Sequence, residues 1–332
     1  MMFAQRLILV FGIFTLNMAC NTETPKLVAQ RPVVDLGQKE IEVEPIVEVI
    51  VPESDILFVI DNSGSMSSFQ ANLSNNIDEF INALTVNPDL DWRIAVTTSN
   101  MEKMYPGSHG KFYGSPTVVS RTTPNMLKAL KYNLKPGANQ DLGLETFFDP
   151  IRVALSPSML NGFNKGFLRP NAKLVVIIIT DSDDQGQGKV QDAVDNLINL
   201  KQGNRSKLAV YSGLASVVKS CGSSGEPYPN RLLEFTNLIG GSWFNLCDIG
   251  FSSKIKEIGE EISQNYDITI ILNRRPKIET VQVWYGSMLV PSHPETGWVF
   301  DIEKNTISIG PKFDFSTQPQ GTKFKVVYTP AG

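Results

Sequence analysis

The sequence predicts an α/β fold, a doubly wound and mostly parallel sheet, joined to a second, smaller all-β sandwich domain. Three observations carry that expectation. Two uninterrupted apolar runs, Ile56–Ile60 and Leu174–Ile179, have the length of strands and stop abruptly at oxygen-bearing residues. Such runs, rich in branched side chains, suit strands buried on both faces, as parallel strands are. Between and after them, apolar residues recur at helical spacing, and from Asp267 onward the texture changes to short period-two segments separated by turns bearing Pro and Gly.

Taken in order, residues 1–19 read as an export signal. Arg6 precedes an apolar core, Leu7–Leu16, and the segment ends at Ala19–Cys20. That core is shorter than the ~20 residues a bilayer requires. A small residue followed by Cys resembles a bacterial lipoprotein cleavage box, with Cys20 as the lipidated first residue. Asn17 and Met18 depart from the usual pattern, and the alternative is ordinary cleavage nearby with Cys20 left as a free thiol. With Asn21 rather than Asp behind the lipidated Cys, the expected address is the outer membrane. Residues 20–39 read as a tether. Residues 40–52 alternate charged and apolar side chains, and we expect them to form a strand pairing with the C-terminal β domain. Residues 53–266 are then the α/β domain and 267–332 the β-sandwich.

Within the α/β region, Phe69, Leu73, Ile77, Phe80, Ile81 and Leu84 mark one face of an amphipathic helix. Trp92–Thr98 is a strand, residues 100–124 a long loop, and Met126–Leu134 a short helix. A helix is expected over 141–155, kinked at Pro150 unless it begins there. Val190–Leu200, Arg231–Leu238 and Phe251–Ile262 complete the helices, with a strand at Leu208–Tyr211.

The chemistry sits where the two apolar runs end. Asp61, Ser63 and Ser65 form a D-x-S-x-S array after the first run. One carboxylate and two hydroxyls are hard oxygen donors, suited to Mg²⁺, Mn²⁺ or Ca²⁺. The alternative is a serine-rich turn that caps the next helix. The second run ends in Thr180, Asp181, Ser182, Asp183 and Asp184, whose plainer reading is an acidic turn capping the helix at 190–200. In open α/β sheets, ligands bind beyond the carboxyl ends of the strands, so both clusters are expected along one sheet edge.

A buried strand ending in D-x-S-x-S, an amphipathic helix, and a later apolar strand ending in Thr-Asp resemble a von Willebrand factor A domain over roughly residues 55–266. The resemblance implies a metal-ion-dependent adhesion site at Asp61, Ser63, Ser65 and Asp181. It also implies a second-loop Thr that is missing here. The matching stretch, Gly137–Leu144, offers Asn139, Gln140 or Asp141, of which Asp141 and Asn139 are the weaker candidate ligands, while Thr146 comes late and is placed in the expected helix. TTSN after the second strand, TDSDDQ and a later Cys pair are similar to a narrower group, the envelope von Willebrand A lipoproteins of Gram-negative bacteria.

Of the three cysteines, Cys20 belongs to the export region, leaving Cys221 and Cys247. In an exported chain that even remainder reads as a disulfide, contributing about 3 kcal/mol, with two buried thiols as the alternative. The formal net charge of −4 and the lack of a basic run give nucleic acid no electrostatic footprint. No G-x-S-x-G surrounds either loop serine and no Walker-type phosphate loop is present. The resulting expectation is an adhesion protein rather than an enzyme, binding a protein partner's carboxylate, or a glycan oxygen, through a metal. The rivals are a structural envelope lipoprotein with a vestigial site and a Mg²⁺-dependent hydrolase.

Overall fold

The computed structural model describes residues 48–331 apart from 50–51, 88–89, 103, 139–142, 219–220, 222–226, 265–267, 311 and 320–321. Cys20, the export signal and the tether therefore lie outside the described residues.

The first apolar run becomes β2 (Glu53–Ile60), preceded by the short β1 (Glu48–Val49). Helix α1 (Ser67–Thr85), strand β3 (Asp91–Thr98) and strand β4 (Val118–Ser120) follow. Next come α2 (Met126–Asn133), α3 (Phe148–Ala154) and α4 (Pro157–Asn161). The second run is β5 (Lys173–Thr180), after which α5 (Val190–Leu200), β6 (Leu208–Leu214), α6 (Asn230–Ile239), β7 (Ser242–Asn245) and α7 (Phe251–Gln264) complete the α/β part.

Among the described residues, these strands form a six-stranded sheet in the order β4-β3-β2-β5-β6-β7. All neighbours are parallel except β3 and the edge strand β4. The alternation of side chains in the central strands explains why the sheet is covered twice. Ile56, Phe58, Ile60, Val175, Ile177 and Ile179 face α1, α2 and α7, whereas Leu57, Val59, Leu174, Val176 and Ile178 face α3, α5 and α6. Burying both faces needs the continuous apolar runs seen in the sequence. Helices α1 and α7 approach closely because Gly259 lacks a side chain; a Cβ there would lie 2.7 Å from the Phe80 carbonyl oxygen.

Several details depart from the sequence reading: β4 lies within the stretch read as a long loop, and α4 matches no expected helix. The helix expected over 141–155 begins only at Phe148, which puts Pro150 in its first turn, where a missing N–H costs nothing. Thr146 therefore precedes the helix. Strand β7 was not anticipated; its four residues, SWFN, are too few and too exposed to show a buried-strand pattern.

The C-terminal region holds β8 (Ile268–Ile271), β9 (Gln282–Tyr285), β10 (Met288–Val290), β11 (Trp298–Asp301), β12 (Thr306–Ile309) and β13 (Phe324–Val327). They form two antiparallel sheets, β1-β8-β12-β11 and β10-β9-β13. Ile268, Ile270 and Ile307 of one sheet share an apolar core with Val283, Tyr285 and Phe324 of the other. Strand β1 pairs antiparallel with β8, Glu48 opposite Ile271 and Val49 opposite Ile270.

Candidate metal centre at the carboxyl edge of the sheet

The chain runs outward from β2 to β3, then returns to place β5 on the other side of β2. The strand order thus reverses between β2 and β5, and loops leaving those two strands diverge to open a crevice. Asp61 follows β2 and Asp181 follows β5 at this point. The ladder continues into the loops, with the Asp61 N–H donating to the Ile179 carbonyl at 2.9 Å and the Ser99 N–H to the Ile60 carbonyl at 3.1 Å.

Three of the sequence-predicted donors converge. A single helical turn at Gly64–Met66, closed by Met66 N–H to the Ser63 carbonyl, puts both loop hydroxyls on one side. Ser63 Oγ and Ser65 Oγ are 3.0 Å apart, and Ser65 Oγ donates to Asp181 Oδ1 at 3.1 Å across 116 residues of sequence. Asp181 and Ser63 are buried, while Ser65 is half-buried, so the cluster meets solvent at Ser65.

Asp61 lies beneath this cluster, fully buried. Its Oδ1 accepts from the Ser63 N–H at 2.8 Å and from Ser99 Oγ at 3.4 Å, and its Oδ2 accepts from Thr180 Oγ1 at 2.6 Å. Asp61 therefore shapes the first loop and ties it to β5. Burial, then the nearby charges of Glu145 and Asp181, push its carboxyl up to about 7, against the hydrogen bonds from Thr180 and Ser63. Gln70, buried on α1, links this loop to the next: its Nε2 donates to the Asp61 carbonyl at 2.9 Å and to the Gly137 carbonyl at 2.8 Å.

The acidic run after β5 divides its work. Asp184 Oδ1 accepts from the N–H groups of Phe147 and Phe148, at 2.7 and 3.1 Å, and so caps α3. Asp183 accepts from the N–H groups of Arg231 and Leu232, both at 3.0 Å, and caps α6. Carboxylates at helix N-termini satisfy orphan donors and complement the dipole. The capping reading was thus right in kind for these two residues, but they serve distant helices rather than α5. Asp181 alone of the three turns toward the serines.

In the second loop, Asn139 and Asp141 lie outside the described residues. Thr146 is buried, and both its N–H and its Oγ1 donate to the Ser99 carbonyl at 3.2 Å. Glu145, which the sequence reading passed over, is bound to the third loop instead. The Gln185 N–H donates to the Glu145 carbonyl at 2.9 Å, the Glu145 N–H to Gln185 Oε1 at 3.2 Å, and Gln185 Nε2 to Glu145 Oε2 at 3.3 Å. A carboxylate three residues before the first turn of a helix was the available signal.

The donor set fits a hard divalent cation. Two buried carboxylates and two hydroxyls converge, and the nearby charges of Glu145 and Asp181 that act on Asp61 are themselves acidic. Among the described residues, no group of three or more His, Cys, Asp or Glu side chains is placed to hold a metal. A cation here would rest on Ser63 and Ser65 as much as on carboxylates, which disfavours soft metals.

The expected disulfide is formed. Cys221, in the segment after β6, and Cys247, in the segment after β7, are bonded with Cα atoms 5.8 Å apart. Both segments leave the same sheet edge, so the crosslink braces the rim beside the crevice. At the opposite edge lies a buried charge cluster: Arg169 donates to both Asp55 oxygens, through N–H at 2.6 Å and Nε at 2.8 Å, and reaches Asp91 Oδ2 at 2.6 Å.

The von Willebrand factor type A domain model matches residues 55–213. Among solved structures, the chain is similar to a von Willebrand factor type A protein from Catenulispora acidiphila at 13% identity, covering 87% of this chain and 62% of that one, with a TM-score of 0.38. It is similar to the pilus adhesin SpaC from Lactobacillus rhamnosus GG at 12% identity, covering 86% and 41%, with a TM-score of 0.41. It also resembles proximal thread matrix protein 1 from the mussel byssus with a zinc-occupied MIDAS motif, at 14% identity, covering 65% and 47%, with a TM-score of 0.36. The chain spans less than two thirds of each of these proteins. No curated protein matches it.

Proposed function

We propose, from the premise that residues 55–213 are a von Willebrand factor type A domain, that this protein is a cation-dependent binding protein displayed on a cell envelope. The observation that carries the reading is the 3.1 Å contact of Ser65 Oγ with Asp181 Oδ1, which joins two loops at the point where the strand order reverses. A bound Mg²⁺, Mn²⁺ or Ca²⁺ would supply an electrophilic centre able to accept an oxygen from a partner. Ser63, Ser65 and Asp181 would hold it directly. Asp61, with both oxygens already engaged by Ser63, Ser99 and Thr180, would hold a bridging water and keep the first loop in shape.

The partner we favour is a protein presenting a carboxylate, over a glycan. Met104, Val218 and Ile249 are exposed on the segments that follow β3, β6 and β7, and Leu144 is exposed on the segment between α2 and α3. From β3 to β7 that edge spans about 19 Å at the usual strand spacing. Exposed apolar side chains spread over this breadth offer a protein partner area to bury beside the polar centre. A catalytic use of the serines finds no support in the histidines: Ser108 Oγ meets His109 Nδ1 at 3.0 Å, and His293 Nδ1 accepts from the Glu295 and Thr296 N–H groups. We further propose lipid anchoring through Cys20 to the outer membrane, on the N-terminal sequence alone.

The test is capture of envelope proteins from intact cells by the wild-type chain and by Asp61→Ala and Ser65→Ala. We expect capture that EDTA and either substitution abolish while unfolding stays cooperative. Equal capture by all three, with and without EDTA, would sink the reading and leave a structural envelope protein.

A further inference from the structure

The family's second-loop hydroxyl has no counterpart among the described residues, because the one Thr nearby donates its hydroxyl to the Ser99 carbonyl and is buried there. We propose that Glu145 takes that place, acting on the cation through its charge or a bridging water, so that the site carries three negative groups rather than two. The inference rests on the cation reading above.

Placement is the first argument. Glu145 forms an isolated bridge with Asn100, the second residue beyond β3, and its backbone exchanges two hydrogen bonds with Gln185, four residues beyond Asp181. It is thus held between the loops that flank the Asp61–Asp181 crevice. Orientation is the second. Gln185 Nε2 donates both to Glu145 Oε2, at 3.3 Å, and to Ser182 Oγ, at 3.2 Å, drawing the carboxylate toward the residue next to Asp181. Consistent with this, Glu145 is the strongest charged influence on Asp61. Asp61, Asp181 and Glu145 do not close into a three-carboxylate cage, which is why the action assigned to Glu145 is indirect.

The chemical consequence is a trade. A third carboxylate beside the cation adds negative charge that holds the cation tighter and welcomes an incoming carboxylate less. Indirect groups of this kind typically change metal affinity by ~10–100-fold.

The experiment is thermal unfolding of the full chain titrated with Mg²⁺, Mn²⁺ or Ca²⁺ alone, for the wild type and for Glu145→Gln, Glu145→Asp, Thr146→Val and Asp61→Asn. Glu145→Gln keeps an oxygen able to accept from Gln185, so the loops stay laced. We expect it to raise the stabilisation midpoint about tenfold or more, or about 1.4 kcal/mol. Glu145→Asp should restore most of that loss, and Thr146→Val should leave the midpoint in place even where it lowers the melting temperature. An unchanged midpoint in Glu145→Gln, or a shift in Thr146→Val instead, overturns the proposal while the cation site stands. A wild type without stabilisation by any of the three ions, matched by Asp61→Asn, overturns both.

Discussion

A carboxylate buried with two other acidic groups must leave a signature in the pH dependence of stability. Asp61 titrates near 3.8 in an unfolded chain and is pushed up to about 7 in the folded one, by burial first and by Glu145 next. Below pH 4 the group is protonated in both states and contributes no slope. Between pH 4 and 7 the unfolded chain releases this proton while the native chain keeps it. The native state then binds more protons than the unfolded one, so stability falls as pH rises. At about 1.4 kcal/mol per pH unit, the loss accumulates to roughly 4 kcal/mol by pH 7 and then levels off. For a protein of this size that is on the order of 10 °C in melting temperature. A divalent ion beside Asp61 stabilises its charged form and should remove the slope. The assay is unfolding from pH 4.5 to 8 in EDTA and in millimolar Mg²⁺, with Asp61→Asn as reference for every other titrating group, including Asp55, which burial also raises against the pull of Arg169. We expect the wild-type curve to fall away from the Asn variant in EDTA and to run parallel to it in Mg²⁺. Parallel curves in EDTA would refute the account of Asp61 as a buried carboxylate awaiting a cation.

Two further outcomes are expected away from the crevice. Arg169→Ala removes the guanidinium that pairs with the fully buried Asp55, so unfolding should be easier by about 3–5 kcal/mol, read from the urea midpoint. The cation midpoint should not move, since the cluster sits at the opposite end of β2. The double variant Cys221→Ser, Cys247→Ser opens a crosslink spanning 26 residues and should cost about 3 kcal/mol in the same assay. A loss no larger than that of reducing agent on the already substituted chain would show the crosslink to be thermodynamically idle.

Much of this protein was written in short stretches of sequence. Strand runs such as Ile56–Ile60 and the stripe Leu73–Ile77–Phe80–Leu84 are legible because burial on one or two faces imposes a period that neighbouring residues share. The Asp61, Ser63 and Ser65 array is legible for the same reason: its spacing lies within one turn of chain. The Asp181 pairing was inferable from two such runs, since parallel strands end on one edge.

The meaning of residues whose partners are far away in sequence emerges only from the three-dimensional packing. Nothing in TDSDD distinguishes Asp181 from Asp183 and Asp184, yet the first meets Ser65 while the others cap α6 and α3. Gln70 looks like any polar helix residue until its amide is found bridging Asp61 and Gly137. Glu145 was passed over while the second-loop ligand was sought at Asn139 and Asp141, and only the packing of the loop against β3 shows the nearby Thr146 hydroxyl already engaged. Local periodicity reports what a residue's own element requires of it. Loop contacts depend on which strands the sheet sets side by side, and that order is settled by the burial of the whole core.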